Sequence, residues 1–229
     1  MGAGVDGGWH GEMGMLRELP DDVADLVVRA CRVRRYATND AILHAGDEGG
    51  CMHMISRGHV AIMVSTPLGQ QLAFSILGPR QSFGELSLVS DDGVRTATAR
   101  ALDPTETLAL PRAEFDRLRR KHPEVNDALL RVLTDLVVRL SSRLTEPLYL
   151  PVRARICRRL LELCSVYEGS GDETVIPLSH EVLADLAGTR RQTVTTTLNR
   201  MDGVVDQGWR QLRVRDREAL RRLAQLDDL

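Results

Sequence analysis

The sequence is short of the groups from which redox and catalytic centres are built. Its four cysteines, Cys31, Cys51, Cys157 and Cys164, form no C-x-x-C pair, and Cys157 and Cys164 stand seven apart on a predicted helix. That spacing suits buried thiols in a reducing cytosol. The six histidines (His10, His44, His53, His59, His122, His180) are scattered, with no Ser/His/Asp set and no H-E-x-x-H pair. Neither an enzyme mechanism nor a metal site is expected. Net charge is only -2, so whole-chain binding to a polyanion is not implied. No apolar run approaches membrane-spanning length, and residues 1–15 are Gly-rich without an apolar core, unlike a signal peptide. Those residues are read as a flexible tail, and the chain as cytoplasmic with no membrane partner.

What is present is periodicity, and it changes along the chain. The stretch Glu124 to Glu146, between Pro123 and Pro147, contains no Gly or Pro and repeats apolar residues every three or four positions. It reads as one long helix. Its apolar set of Val125, Leu129, Val132, Leu133, Leu136, Val137, Leu140 and Leu144 is wider than a single seam. Two readings are open: a buried core helix, or a subunit-spanning coiled coil whose solvated face is Asp127, Arg131, Asp135, Arg139 and Arg143. Before it, a short helix from Pro20 to Arg32 gives way after Tyr36 to a period of two. Short runs at 42–43, 52–55, 60–64, 72–77, 96–99 and 107–110 are separated by Gly-rich turns. Short, evenly spaced strands predict an antiparallel barrel or roll. Arg112 to Lys121 then forms a short helix into the long one.

Chemistry in this first region concentrates at Ser82-Phe83-Gly84-Glu85-Leu86-Ser87-Leu88 and Val94-Arg95-Thr96-Ala97-Thr98-Ala99. Gly84 lets backbone approach a ligand and opens a short helical turn. Arg95 can clamp a phosphate, Thr96 can donate a hydroxyl, and Glu85 can accept from a sugar hydroxyl.

After Pro147 the pattern is helical. Val152 to Tyr167 is a helix, Glu168 to Asp172 a loop, and Val175-Ile176 a short strand. In the stretch from Leu178 to Met201, Ser179 caps one helix, Gly188 makes a tight turn, and Thr189 or Arg190 opens a second. Val194, Leu198 and Met201 face inward. The outer face carries Arg190, Arg191, Gln192, Thr195, Thr196, Asn199 and Arg200, with no acid among them. Such a face suits DNA, where Arg pairs with guanine and Gln with adenine.

These motifs resemble those of the cyclic-AMP receptor protein (CRP/FNR) family of bacterial transcription regulators. Residues 36–111 look like a cyclic-nucleotide-binding domain, on Gly46-Asp47, Gly58-x-Val60, Leu77-Gly78, Phe83-Gly84-Glu85-Leu86-Ser87-Leu88 and Arg95-Thr96-Ala97-Thr98-Ala99. The resemblance implies an α+β chain: tail 1–15, effector-binding β-roll 16–122, dimerisation helix 123–147 and winged helix-turn-helix 148–229. It also implies a cytoplasmic homodimer acting on an inverted-repeat operator in double-stranded DNA, with RNA polymerase as a further partner. Cyclic AMP or another cyclic nucleotide would be the effector, with no metal. Gly84, Glu85, Leu86, Arg95 and Thr96 would hold the ribose and cyclic phosphate. The family's base-contacting positions fall on Leu136 and Leu140, leaving Ser141 as the polar group there. Thr189, Arg190, Arg191, Gln192, Thr195, Thr196, Arg200 and Arg213 would contact DNA. Val204-Val205, Trp209 and Leu212 to Arg215 resemble the wing, with Arg210, Arg213 and Arg215 available to phosphates, and Asp216 to Leu226 adds a terminal helix. Gln192 and Thr196 differ from the family's usual Glu and Arg, which implies an altered operator. Leu129, Val132, Leu133, Leu136, Leu140 and Leu144 would form the dimer interface. The same scaffold could instead act without nucleotide, or as a haem or redox sensor.

Overall fold

The computed structural model describes residues 14–90, 92–167 and 173–225. The loop expected at 168–172 and most of the expected tail lie outside them. Two compact units emerge, one of residues 1–64 with 77–138 and one of 65–76 with 139–229.

In the first unit, a 3-10 turn Gly14–Glu18 precedes α1 (Asp21–Ala30) and β1 (Arg32–Tyr36). There follow β2 (Ala41–Leu43), β3 (Cys51–Arg57), β4 (Val60–Ser65) and β6 (Ser82–Phe83), while β5 (Gln71–Leu77), between β4 and β6 in the chain, is counted in the second unit except for Leu77. Next come α2 (Leu86–Val89), β7 (Thr98–Ala101), β8 (Thr105–Pro111) and α3 (Arg112–Lys121). Two antiparallel sheets are ordered β1-β8-β3-β6 and β2-β7-β4-β5. Alternation along β3 and β8 sends Met52, Met54, Leu108 and Leu110 to one face, where they pack with Val23, Val27, Phe115, Leu118, Val125 and Leu129 from the helices. On the other face Ile55, with Val60, Phe83 and Ala99, forms a small second core.

Three expectations need correction here. Met15, assigned to the tail, is fully buried in the main core with Leu16. β1 was not expected as a strand, because Arg-Val-Arg-Arg-Tyr lacks an apolar face; backbone pairing from Arg32↔Ala109 to Tyr36↔Thr105 holds it. Leu129 is buried in its own unit, beside Val125 and Ala128, so it has no surface left to offer a partner.

The long helix, α4 (Pro123–Tyr149), runs past Pro147. A proline there removes one helical hydrogen bond, but Leu150 N still donates to Glu146 O at 2.8 Å, so the last turn closes. Along it Leu130, Val137, Val138, Leu144 and Leu148 are exposed, while Val132, Leu133, Leu136 and Leu140 are half-buried.

The second unit contains α5 (Val152–Val166), β9 (Thr174–Ile176), α6 (His180–Ala187), α7 (Arg191–Leu198), β10 (Val205–Gly208), β11 (Gln211–Val214) and α8 (Arg217–Leu223). A three-stranded sheet, β10-β11-β9, closes against the helices. Its core takes Ile156, Leu160 and Leu163 from α5, Leu183 and Ala184 from α6, Val194 and Leu198 from α7, and Leu212 and Val214 from β11. The base of α4 is tied to α5 by a buried pair: Arg159 Nη2 donates to both carboxylate oxygens of Glu146, at 3.0 and 2.8 Å. Among the described residues no helix is long and apolar enough to cross a membrane, and no group of three His, Cys, Asp or Glu could hold a metal.

Candidate functional site

β6 delivers the chain to Gly84, where φ is +80° and α2 begins immediately afterwards. A side chain is excluded here twice over. The backbone is left-handed, and a Cβ would stand 2.5 Å from Arg95 Nη1. Arg95 itself is only 5% exposed. Its Nη1 donates to the Gly84 carbonyl (2.9 Å) and to Ser87 Oγ (2.8 Å), and its Nη2 to the Cys51 carbonyl (2.5 Å). All three acceptors are neutral, and among the described residues no carboxylate pairs with this guanidinium. A buried cation that is hydrogen-bonded but not neutralised favours an anion nearby.

Glu85, at the N-terminus of α2, is buried, whereas Leu86 and Thr96 are exposed. Gly84 and the Arg95 guanidinium therefore meet at one end of β6, with Glu85 next in the chain. Ser141 is exposed on α4, in the second unit.

Behind Arg95, His53 stacks on Phe83 at 5.1 Å and bonds through Nδ1 to Thr107 Oγ1 (3.0 Å), with Cys51 Sγ 3.3 Å from Nε2. Burial, followed by the charges of Arg95 and Arg34, pushes this imidazole down to about 4, so it is neutral at physiological pH. The Cys31 and Cys157 thiols are pushed up by burial to about 12 and about 11, and Cys164 is raised for the same reason. Thiols so disposed are poor nucleophiles and poor redox sensors.

Sequence reasoning overlooked Arg32 and Arg34, which line the cavity that Arg95 also reaches. The signal was their spacing of two, next to a run read as strands.

The second constellation is on the helical pair. Ser179 Oγ accepts from Val182 N (3.3 Å) and starts α6; Gly188, at φ +59°, ends it. α7 follows from Arg190, as one of the two expected openings. Val194 and Leu198 point into the core, which turns Arg190, Arg191, Gln192, Thr196, Asn199 and Arg200 outward, all exposed. Thr195 is half-buried; its hydroxyl donates to Arg191 O and lies 3.0 Å from His180 Nδ1. Thr196 likewise donates back to Gln192 O. Both hydroxyl protons are consumed by backbone, leaving methyl groups and lone pairs to a partner. Thr189 is half-buried in the turn.

On the hairpin, Arg213 is paired with Glu173 (3.3 Å), and Arg215 with Glu173 and Asp206 (both 2.5 Å). Their charge is therefore not freely available as expected, because neighbouring strands place acids beside them. Arg210, at the turn with φ +49°, has no acidic partner among the described residues. Trp209 next to it is 91% exposed.

Comparison with known proteins matches residues 33–122 to the cyclic nucleotide-binding domain and residues 154–223 to the Crp-like helix-turn-helix domain. The cyclic AMP receptor protein of Thermus thermophilus is 32% identical over 207 residues, covering 90% of this chain and 93% of its own. The crystal structure of the Thermus thermophilus catabolite activator protein superposes with a TM-score of 0.54 at 31% identity, over 92% of this chain and 98% of that one. The c-di-GMP-responsive regulator CLP of Xanthomonas campestris shares the fold, with a TM-score of 0.72 at 20% identity, over 85% and 99%.

Proposed function

Because the chain belongs to the CRP family of transcription regulators, with a cyclic nucleotide-binding domain and a Crp-like helix-turn-helix, we propose that it acts as a cytoplasmic homodimer on an inverted-repeat operator under the control of a small effector. One observation carries the DNA-contacting face: α7 buries Val194 and Leu198, and α7 with its flanking residues exposes Arg190, Arg191, Gln192 and Arg200, three cations without an acidic partner among the described residues. Arg191 and Gln192 lie in its first turn, the part of a recognition helix that reaches base edges, and Arg210 would replace Arg213 as the hairpin's phosphate contact. Thr189, Thr195 and Thr196 would contribute shape and methyl contacts.

The effector reading rests on Arg95. Its unneutralised guanidinium, with Gly84, Glu85 and Thr96, supports a ribose cyclic phosphate, and cyclic AMP is the first candidate. Since Leu136 and Leu140 offer no hydrogen bonds, discrimination between adenine and guanine would be weak. Pairing of two α4 helices through Leu130, Val137, Val138 and Leu144, flanked by the half-buried Val132, Leu133, Leu136 and Leu140, would place two recognition helices on one face of DNA about 34 Å apart. RNA polymerase would be the partner of the assembled complex. Calorimetric titration of wild type and Arg95→Ala with cyclic AMP and cyclic GMP tests the effector: binding lost in the variant supports it. Equal heats in both proteins would contradict it.

A further inference from the structure

Three arginines, Arg32, Arg34 and Arg95, line one cavity of the first unit. That cavity, of about 420 Å³, is also lined by His53 of β3 and by Asp47 and Glu48. Alternation along β1 separates its arginines into two classes. Arg35, on the opposite face, is paired with Glu106 directly across from it, at 2.7 Å. The side chains of Arg32 and Arg34 have neither ion pair nor hydrogen bond among the described residues, although Asp47 and Glu48 line the same cavity. Arg34, Arg95 and the buried His53 line it together, and the charges of both arginines add to burial in lowering the His53 pKa. Arginine side chains that line one concavity and make no ion pair are free to take a bound anion.

We propose that this cavity is a polyanion site, taking a small phosphorylated molecule with at least two anionic groups: one facing Arg95, the other facing Arg32 and Arg34. Asp47 and Glu48 would accept hydrogen bonds from hydroxyl or amino groups of the same ligand, which favours a phosphorylated sugar or nucleoside over inorganic phosphate. The site shares only Arg95 with the cyclic-nucleotide reading and does not depend on DNA binding.

Inorganic tripolyphosphate is the probe, titrated calorimetrically into the full chain, with orthophosphate as comparison. Arg32→Gln and Arg34→Gln are each measured against Arg35→Gln, which removes the same charge from the opposite face; all three positions are exposed, and circular dichroism checks the fold. Tripolyphosphate should bind, and orthophosphate at least roughly tenfold more weakly, as loss of a charge-assisted contact implies. Affinity for tripolyphosphate should fall roughly tenfold in Arg32→Gln and Arg34→Gln and stay unchanged in Arg35→Gln. No heat with tripolyphosphate, or an equal loss in all three variants, would overturn the site. A separate titration with cyclic AMP keeps the two readings apart: its failure would leave the polyanion site standing, and its success would not rescue it.

Discussion

The guanidinium of Arg95 occupies the space that a side chain on Gly84 would need: a Cβ built there stands 2.5 Å from Nη1, and Gly84 holds φ at +80°. Glycine and arginine are eleven residues apart in sequence and mutually required in space. Gly84→Ala should therefore cost roughly 1–3 kcal/mol of stability, from a left-handed non-glycine backbone and from displacing Arg95 off its carbonyl partners. Urea unfolding measures this; an unchanged midpoint would mean that Arg95 moves away freely.

Glu146 and Arg159 form a nearly water-free pair at the base of α4, with side chains 8% and 4% exposed. Burial pulls the Arg159 guanidinium below its usual range, and the neighbouring carboxylates oppose that shift. Glu146→Ala leaves the cation buried without that partner and should cost about 3–5 kcal/mol. Chemical denaturation of the variant tests it, and a loss below about 1 kcal/mol would place the pair among ordinary surface bridges.

His53 makes stability depend on pH. Its folded value near 4 lies below the ordinary value of 6.5, so between those limits the unfolded chain binds a proton that the folded chain refuses. Stability is fully present above pH 6.5 and is lost as pH falls towards 4, by on the order of 3 kcal/mol at the lower end. The urea midpoint of wild type should drop between pH 7 and 5 by more than that of His53→Gln. Equal drops would assign the effect to other groups, such as His180, also lowered by burial and by Arg191.

Much of this was legible in sequence because local rules and burial agreed. The long apolar repeat became α4, and the Ser179, Gly188 and Val194 pattern became the helical pair. The alternating runs became strands paired as expected of a roll. What was not legible depended on long-range partners. β1 has no apolar period, since Arg32 and Arg34 line a cavity on one face and Arg35 meets Glu106 on the other. Arg213 and Arg215 looked free because Glu173 and Asp206 reach them only through the fold. Leu129 looked like interface because a heptad pattern cannot say which apolar residue the chain's own core takes.

That last distinction is testable. Asp at both Val137 and Leu144, which are 61% and 77% exposed, should leave the fold intact and give monomers by light scattering at micromolar concentration. Leu129→Asp should instead unfold the first unit, because a carboxylate there is buried without a partner. A double variant that remains dimeric would remove α4 as the interface.

The most direct test of the whole account is fluorescence anisotropy of wild type and Arg191→Ala on an inverted-repeat operator obtained by selection from random DNA, beside unrelated duplex of equal length. Wild type should prefer the operator. Arg191→Ala should lose roughly 1–3 kcal/mol on the operator and little on unrelated DNA. Equal losses on both duplexes, or no operator preference in the wild type with or without effector, would contradict a sequence-reading role for α7.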